Sequence, residues 1–98
     1  MFVRIVKLSL EPSKIQAFLT NFDAHKEQIR MFKGCLFLEL YRDKDTPNIF
    51  FTYSYWNTPI DLENYRNSDL FRGIWSKTKR MFNGKPEAWS VDKLASLK

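Results

Sequence analysis

From Phe2 to Leu10, apolar and β-branched side chains are interspersed with Arg4 and Lys7, a pattern that predicts a strand. Pro12 then opens a helix, with Glu11 and Ser13 beside it as turn and capping residues. Ile15, Phe18, Leu19, Phe22, Ile29 and Phe32 recur with helical periodicity and mark one apolar stripe, which Gly34 ends. Leu36, Leu38 and Leu40 alternate with Phe37, Glu39 and Tyr41, predicting a second strand. The polar run Asp43-Lys44-Asp45-Thr46-Pro47-Asn48 turns the chain into a third strand, Ile49 to Trp56, which should pair antiparallel with the second. Thr58-Pro59 caps a short helix reaching about Arg66, and Asn67-Ser68-Asp69 caps another. Leu70, Phe71, Ile74, Trp75, Thr78, Met81 and Phe82 give that helix an amphipathic face, and Asn83-Gly84-Lys85-Pro86 ends it. Ala88 to Leu94 alternates again and predicts the last strand.

Strand, helix, strand, strand, helix, strand is the ferredoxin-like βαββαβ arrangement of the α+β class. It is a four-stranded antiparallel sheet with helices on one face. Residues 1–98 form one domain, with no repeat, linker or low-complexity tract. The third strand carries Phe50 and Trp56 on one side and Phe51, Tyr53 and Tyr55 on the other. Helices can cover only one of these faces. The other would expose several rings, and monomers rarely leave so large an apolar patch in water. The expectation is that this face pairs with a second copy, giving a homodimer.

Composition sharpens the picture in two places. Aromatic residues make up 16 % of the chain, nine of them Phe, which is more ring surface than a core of this size easily hides. The formal charge of +5 comes from sixteen Lys and Arg against eleven Asp and Glu, dispersed along the chain. The densest basic stretch, Arg72, Lys77, Lys79, Arg80 and Lys85, alternates with apolar residues and reads as a solvated helix face, so nucleic acid is not the expected partner. Cys35 is the only cysteine and suits a reducing compartment, and with one histidine there is no ordinary zinc-ligand set. No signal peptide is read at Met1, and no apolar run approaches a membrane span. A cytoplasmic location is the expectation.

The turn Phe32-Lys33-Gly34-Cys35 and the following Leu38-Glu39-Leu40 resemble the "PGC" turn and second strand of the antibiotic biosynthesis monooxygenase family. Phe51-Thr52-Tyr53-Ser54-Tyr55-Trp56, then Leu62 to Tyr65, Ser68 and Phe71, resemble that family's "E-x-W … L-x-x-H-x-x-S-x-x-F" core. Such similarity covers essentially the whole chain. It implies a dimeric α+β barrel of ferredoxin-like subunits. It also implies oxygenation of phenolic, quinol or anthrone-like substrates by O2, with no cofactor and no metal. An electron-rich phenolate can itself pass an electron to oxygen, so the protein must only bind, desolvate and deprotonate it. Two polar positions depart from the family pattern: Ser54 stands at its glutamate and Tyr65 at its frequent histidine, whereas Trp56 matches. A non-catalytic, small-molecule-binding relative is therefore the alternative. A haem-degrading branch of the superfamily is similar around Tyr65 to Phe71, but Trp75 stands where that branch has its axial histidine.

Each candidate side chain has a functional and a packing role open to it. His25, the only histidine, lies three and four residues from Phe22 and Ile29; it is either the base for a phenolic proton or a hydrogen-bonded structural histidine. Tyr65, the other catalytic candidate, could orient substrate or donate to an oxyanion. Tyr53, Ser54, Trp56, Phe71 and Trp75 are the substrate-binding candidates, with Phe71, Ile74 and Phe82 also suited to the core. Cys35 reads as a small buried apolar residue. The topology is shared with RNA-recognition folds, but Asn48-Ile49-Phe50-Phe51 lacks their glycine-aromatic signature, and a dimer would cover the face that stacks bases.

Overall fold

The alternating and helical segments become, in order, β1 (Phe2–Ser9), a 3₁₀ turn (Pro12–Lys14), α1 (Ile15–Arg30), β2 (Cys35–Arg42) and β3 (Ile49–Trp56). They continue as α2 (Pro59–Arg66), α3 (Asp69–Thr78), a second 3₁₀ turn (Lys79–Met81) and β4 (Glu87–Val91), in a computed structural model that describes all 98 residues. The predicted order is thus observed. Two ends differ. The last helix tightens into a 3₁₀ turn after Thr78, and β4 stops at Val91, where its pairing with Val3 ends. At the start of the first helix neither Glu11 nor Ser13 supplies a side-chain cap; Pro12 alone starts the turn. Thr58 and Ser68 do cap. Thr58 Oγ1 accepts from the Asp61 N–H at 3.2 Å, and Ser68 Oγ from the Phe71 N–H at 3.1 Å.

All strands pair antiparallel in the order β2-β3-β1-β4, so the fold is ferredoxin-like. Register divides the residues strictly by parity. On one face lie the rows Phe37–Tyr55–Val3–Val91, Glu39–Tyr53–Ile5–Trp89 and Tyr41–Phe51–Lys7–Glu87. On the other lie Leu38–Ser54–Arg4–Ser90, Leu40–Thr52–Val6–Ala88 and Arg42–Phe50–Leu8. The helices cover the second set. The first set is aromatic and carries no helix: Phe37 stacks on Tyr55 with centroids 4.4 Å apart, Tyr41 meets Tyr53 edge-on at 5.1 Å, and Trp89 is exposed.

Gly34, φ 89°, makes the turn from α1 into β2. A Cβ there would lie 2.3 Å from that of Asp61, so only glycine lets this turn pack against α2. The Gly34 carbonyl also accepts from the Asn57 N–H at 2.8 Å, fixing the turn to the end of β3. Two buried clusters sit on the covered face: Leu8, Leu10, Phe18 and Phe50 at one end, and Cys35, Trp56 and Leu62 at the other. On the covered face of β3, only Thr52 and Ser54 lie between Phe50 and Trp56. Neither side chain is long enough to fill the space that the two large rings hold open.

Candidate functional site

That space is a cavity of about 350 Å³ between the sheet and the helices, within the size range of small-molecule sites. Its floor is Arg4, Val6 and Leu8 of β1, with Thr52, Ser54 and Trp56 of β3. Phe18, Phe22 and Ile29 of α1 form one wall. Leu62 and Tyr65 of α2 and Phe71, Ile74 and Trp75 of α3 form the other. The two caps hold this second wall in place. Ser68 Oγ ties α2 to α3 by donating to the Tyr65 carbonyl at 2.6 Å while capping the Phe71 N–H.

Rings dominate the lining. Trp56 stacks on Tyr65 with centroids 5.1 Å apart, Tyr65 meets Phe71 edge-on at 5.2 Å, and Phe71 stacks on Trp75 at 5.8 Å. Trp75 then tilts against Phe82 at 5.4 Å. Aromatic pairs of this kind add roughly 0.5–1.5 kcal/mol beyond the area they bury. They line the cavity with a mixture of ring faces and ring edges.

The polar groups are few. Trp56 Nε1 donates to Ser54 Oγ at 3.0 Å, both residues being buried, which leaves the Ser54 hydroxyl proton free to donate elsewhere. Thr78 Oγ1 is committed to the Ile74 carbonyl at 2.8 Å. Burial first, and the neighbouring Cys35 thiol second, push the Tyr65 phenol well above the ordinary tyrosine range, so it is a donor and never a base near neutrality. Burial likewise raises the Cys35 thiol and keeps it unreactive, more than the Phe37 backbone and the Arg30 charge lower it. Arg4 and Arg66 are the only charged residues on the lining, which contains no carboxylate and no imidazole. No three His, Cys, Asp or Glu side chains converge as metal ligands anywhere in the fold.

Five of the seven residues singled out in the sequence meet here: Ser54, Trp56, Tyr65, Phe71 and Trp75. Two do not. Tyr53 lies on the opposite face of the sheet, because the two-residue period of β3 sets it against Ser54. His25 is on α1 but outside the lining, and its Nδ1–H donates to the Asn21 carbonyl one helical turn back at 2.8 Å. The sequence reading missed Arg4, Thr52, Leu38, Arg66 and Thr78. For Arg4 a signal was present, since its parity with Val6 and Leu8 puts a charge on the face the helices cover.

A ferredoxin-like sheet whose helix-covered face encloses an aromatic cavity places the chain in a class of small α+β proteins with an internal site. The family model of antibiotic biosynthesis monooxygenases matches residues 1–75, and the chain belongs to that family. Among solved structures, a conserved protein from Methanosarcina mazei Go1 is similar at 22 % identity with a TM-score of 0.88, over 95 % of this chain and 93 % of that one. An antibiotic biosynthesis monooxygenase is similar at 18 % identity and 0.90, over 97 % and 100 %. A Pseudomonas aeruginosa protein is similar at 19 % and 0.85, over 96 % and 94 %. At these identities the likeness is one of fold. Among curated proteins, none matches the chain. No helix is long and apolar enough to cross a membrane.

Proposed function

We propose that the chain is a monooxygenase that uses O2 directly, without a cofactor, on a phenolic, quinol or anthrone-like small molecule. The observation that carries this reading is the aromatic cavity: a shelf of Trp56, Tyr65, Phe71 and Trp75 with a handful of polar groups, in a member of this family. The chemistry balances with substrate and oxygen alone. An ionised anthrone-like carbon passes electrons to O2 and gains a peroxide; loss of water leaves a carbonyl, so one CH2 and one O2 become one C=O and one H2O. A protonated Tyr65 and the free Ser54 hydroxyl proton are the donors for the developing peroxy anion.

The proton taken from substrate leaves to solvent, since the lining holds no carboxylate or imidazole to keep it. His25→Ala should therefore retain turnover, and a well-folded variant that lost it would restore His25 as the base. The protein acts as a homodimer through the uncovered face of Phe37, Tyr41, Phe51, Tyr53, Tyr55 and Trp89, and light scattering should give twice the protomer mass. The missing base and Ser54 favour a second reading, a relative that binds such molecules without turning them over.

Oxygen uptake by metal-free, flavin-free protein over a panel of quinols, naphthols and anthrones decides between the two. Uptake above a heat-denatured control, with a hydroxylated or carbonyl product, supports the oxygenase. Ligand binding without uptake supports the second reading.

A further inference from the structure

The floor of the cavity carries a charge that an apolar ligand would not need. In the row Leu38–Ser54–Arg4–Ser90, Arg4 sits between two serines on the face that the helices cover. One of its nitrogens is anchored, Nη1 donating to Ser90 Oγ at 3.0 Å, and the rest of the fork is left with its donors. No carboxylate forms an ion pair with it; the five ion pairs of the fold join other residues. Arg66 of α2 lines the same cavity and also its outer cleft, held only by a 3.9 Å pair with the exposed Glu63. Asp92 is the other carboxylate of that cleft, and neither acid lines the inner cavity. Burial and, secondly, the Arg66 charge hold the Arg4 pKa below its ordinary value. Arg4, partly buried, loses hydration and is repelled by the exposed Arg66, a cost that an anion between them reduces.

We infer that Arg4, flanked by Ser54 and Ser90 and faced by Arg66, binds an oxyanion conjugated to an aromatic ring, so that the cavity selects ionised aromatic acids and phenolates over neutral analogues. The inference rests on the cavity being the ligand site, and it deepens that reading by accounting for the missing base. Guanidinium groups stabilise the ionised ligand and lower its pKa, and the proton goes to water before the ring is enclosed. A fork geometry suits the two coplanar oxygens of a carboxylate, whereas a phenolate takes a single donor pair.

The experiment is calorimetric binding of 2-naphthoate and its neutral analogue 2-naphthamide to the intact protein. A charge-assisted hydrogen bond exceeds a neutral one by enough to predict roughly ten- to hundredfold tighter binding of naphthoate. That preference should fall to within about threefold in Arg4→Met and weaken in Arg66→Gln. Arg66 is exposed on α2, so its replacement spares the fold and serves if Arg4→Met does not fold. A second arm titrates 4-nitro-1-naphthol by absorbance, and a bound pKa below that of the free phenol extends the site to phenolates. An unshifted pKa beside a preference for naphthoate confines the site to carboxylates. Equal affinity for naphthoate and naphthamide overturns the inference but leaves the cavity a ligand site. Binding of neither by folded protein overturns both. Charge-selective binding without oxygen uptake on any substrate leaves the inference standing and sinks only the oxygenase reading.

Discussion

Replacing Ser54 by alanine removes the acceptor for the Trp56 indole N–H, a 3.0 Å bond between two buried side chains. Trp56 is 1 % exposed and shares its cluster with Cys35 and Leu62, so the ring has no room to turn its nitrogen toward another partner. A buried donor left unpaired costs about 1–3 kcal/mol. Because Ser54 also lines the cavity, water can reach the freed N–H there, which points to the lower part of that range, about 1–2 kcal/mol. In a chain of this length each kcal/mol moves the melting temperature by roughly 4–8 °C, so the variant should melt roughly 4–16 °C lower. The assay is a double-mutant cycle with Trp56→Phe, read by thermal and urea unfolding at one fixed protomer concentration. With the indole N–H gone, Ser54→Ala should cost almost nothing, a coupling of about 1 kcal/mol or more. A Ser54→Ala cost that is the same in both backgrounds, to within about 0.5 kcal/mol, would refute the argument that the serine is there to satisfy the tryptophan.

Gly34→Ala should destabilise by about 2 kcal/mol or more, combining a positive φ with a Cβ 2.3 Å from that of Asp61; a thermal melt within a degree of the parent would show that the turn can move away. Asp43 accepts the Thr46 and Asp45 backbone N–H groups at 2.8 and 3.1 Å, and these bonds, Thr46 first, hold its carboxyl below the usual range. Its folded pKa being the lower one, its stabilisation is present above the unfolded aspartate value near about 4 and is lost as pH falls through the folded value. Urea midpoints followed down this window should therefore fall less steeply for Asp43→Asn than for the parent, and parallel curves would refute the assignment. Tyr65→Phe should leave the alkaline rise in tyrosinate absorbance between about pH 9 and 11 unchanged, because the phenol of Tyr65 ionises above that window. Loss of one tyrosine's share of the rise would mean that the ring is far more hydrated than its packing implies.

Element order and most boundaries were legible because strand alternation and the helical stripe are local properties of the chain. Thr58 and Ser68 announced their helices by residue type alone, since a hydroxyl before a run of free N–H groups has one obvious use. The site was legible only in part. Trp56, Tyr65, Phe71 and Trp75 were found because their segments resemble the pocket-lining core of the family, with the surplus of rings as support. Tyr53 was misplaced although its parity with Phe51 and Tyr55 already set it on the uncovered face. His25 fell outside because helical spacing of three and four fixes a flank only roughly, and the helix's own Asn21 carbonyl captures the ring. Arg4 was passed over because a charge within a strand reads as solvent-facing until the helices are seen to close over it.

The tryptophans divide the molecule in a way that experiment can exploit. Trp56 and Trp75 line the cavity, while Trp89 stands exposed on the uncovered face. Intrinsic fluorescence therefore mixes two internal emitters with one external one. Trp89→Phe would leave only the internal pair, whose quenching or energy transfer to a conjugated ligand would report occupancy directly. Trp89 itself, kept alone after Trp56→Phe and Trp75→Phe, would report whatever settles on the opposite side of the sheet. The same chain thus carries separate optical gauges for filling of the interior and coverage of the exterior, with no label attached.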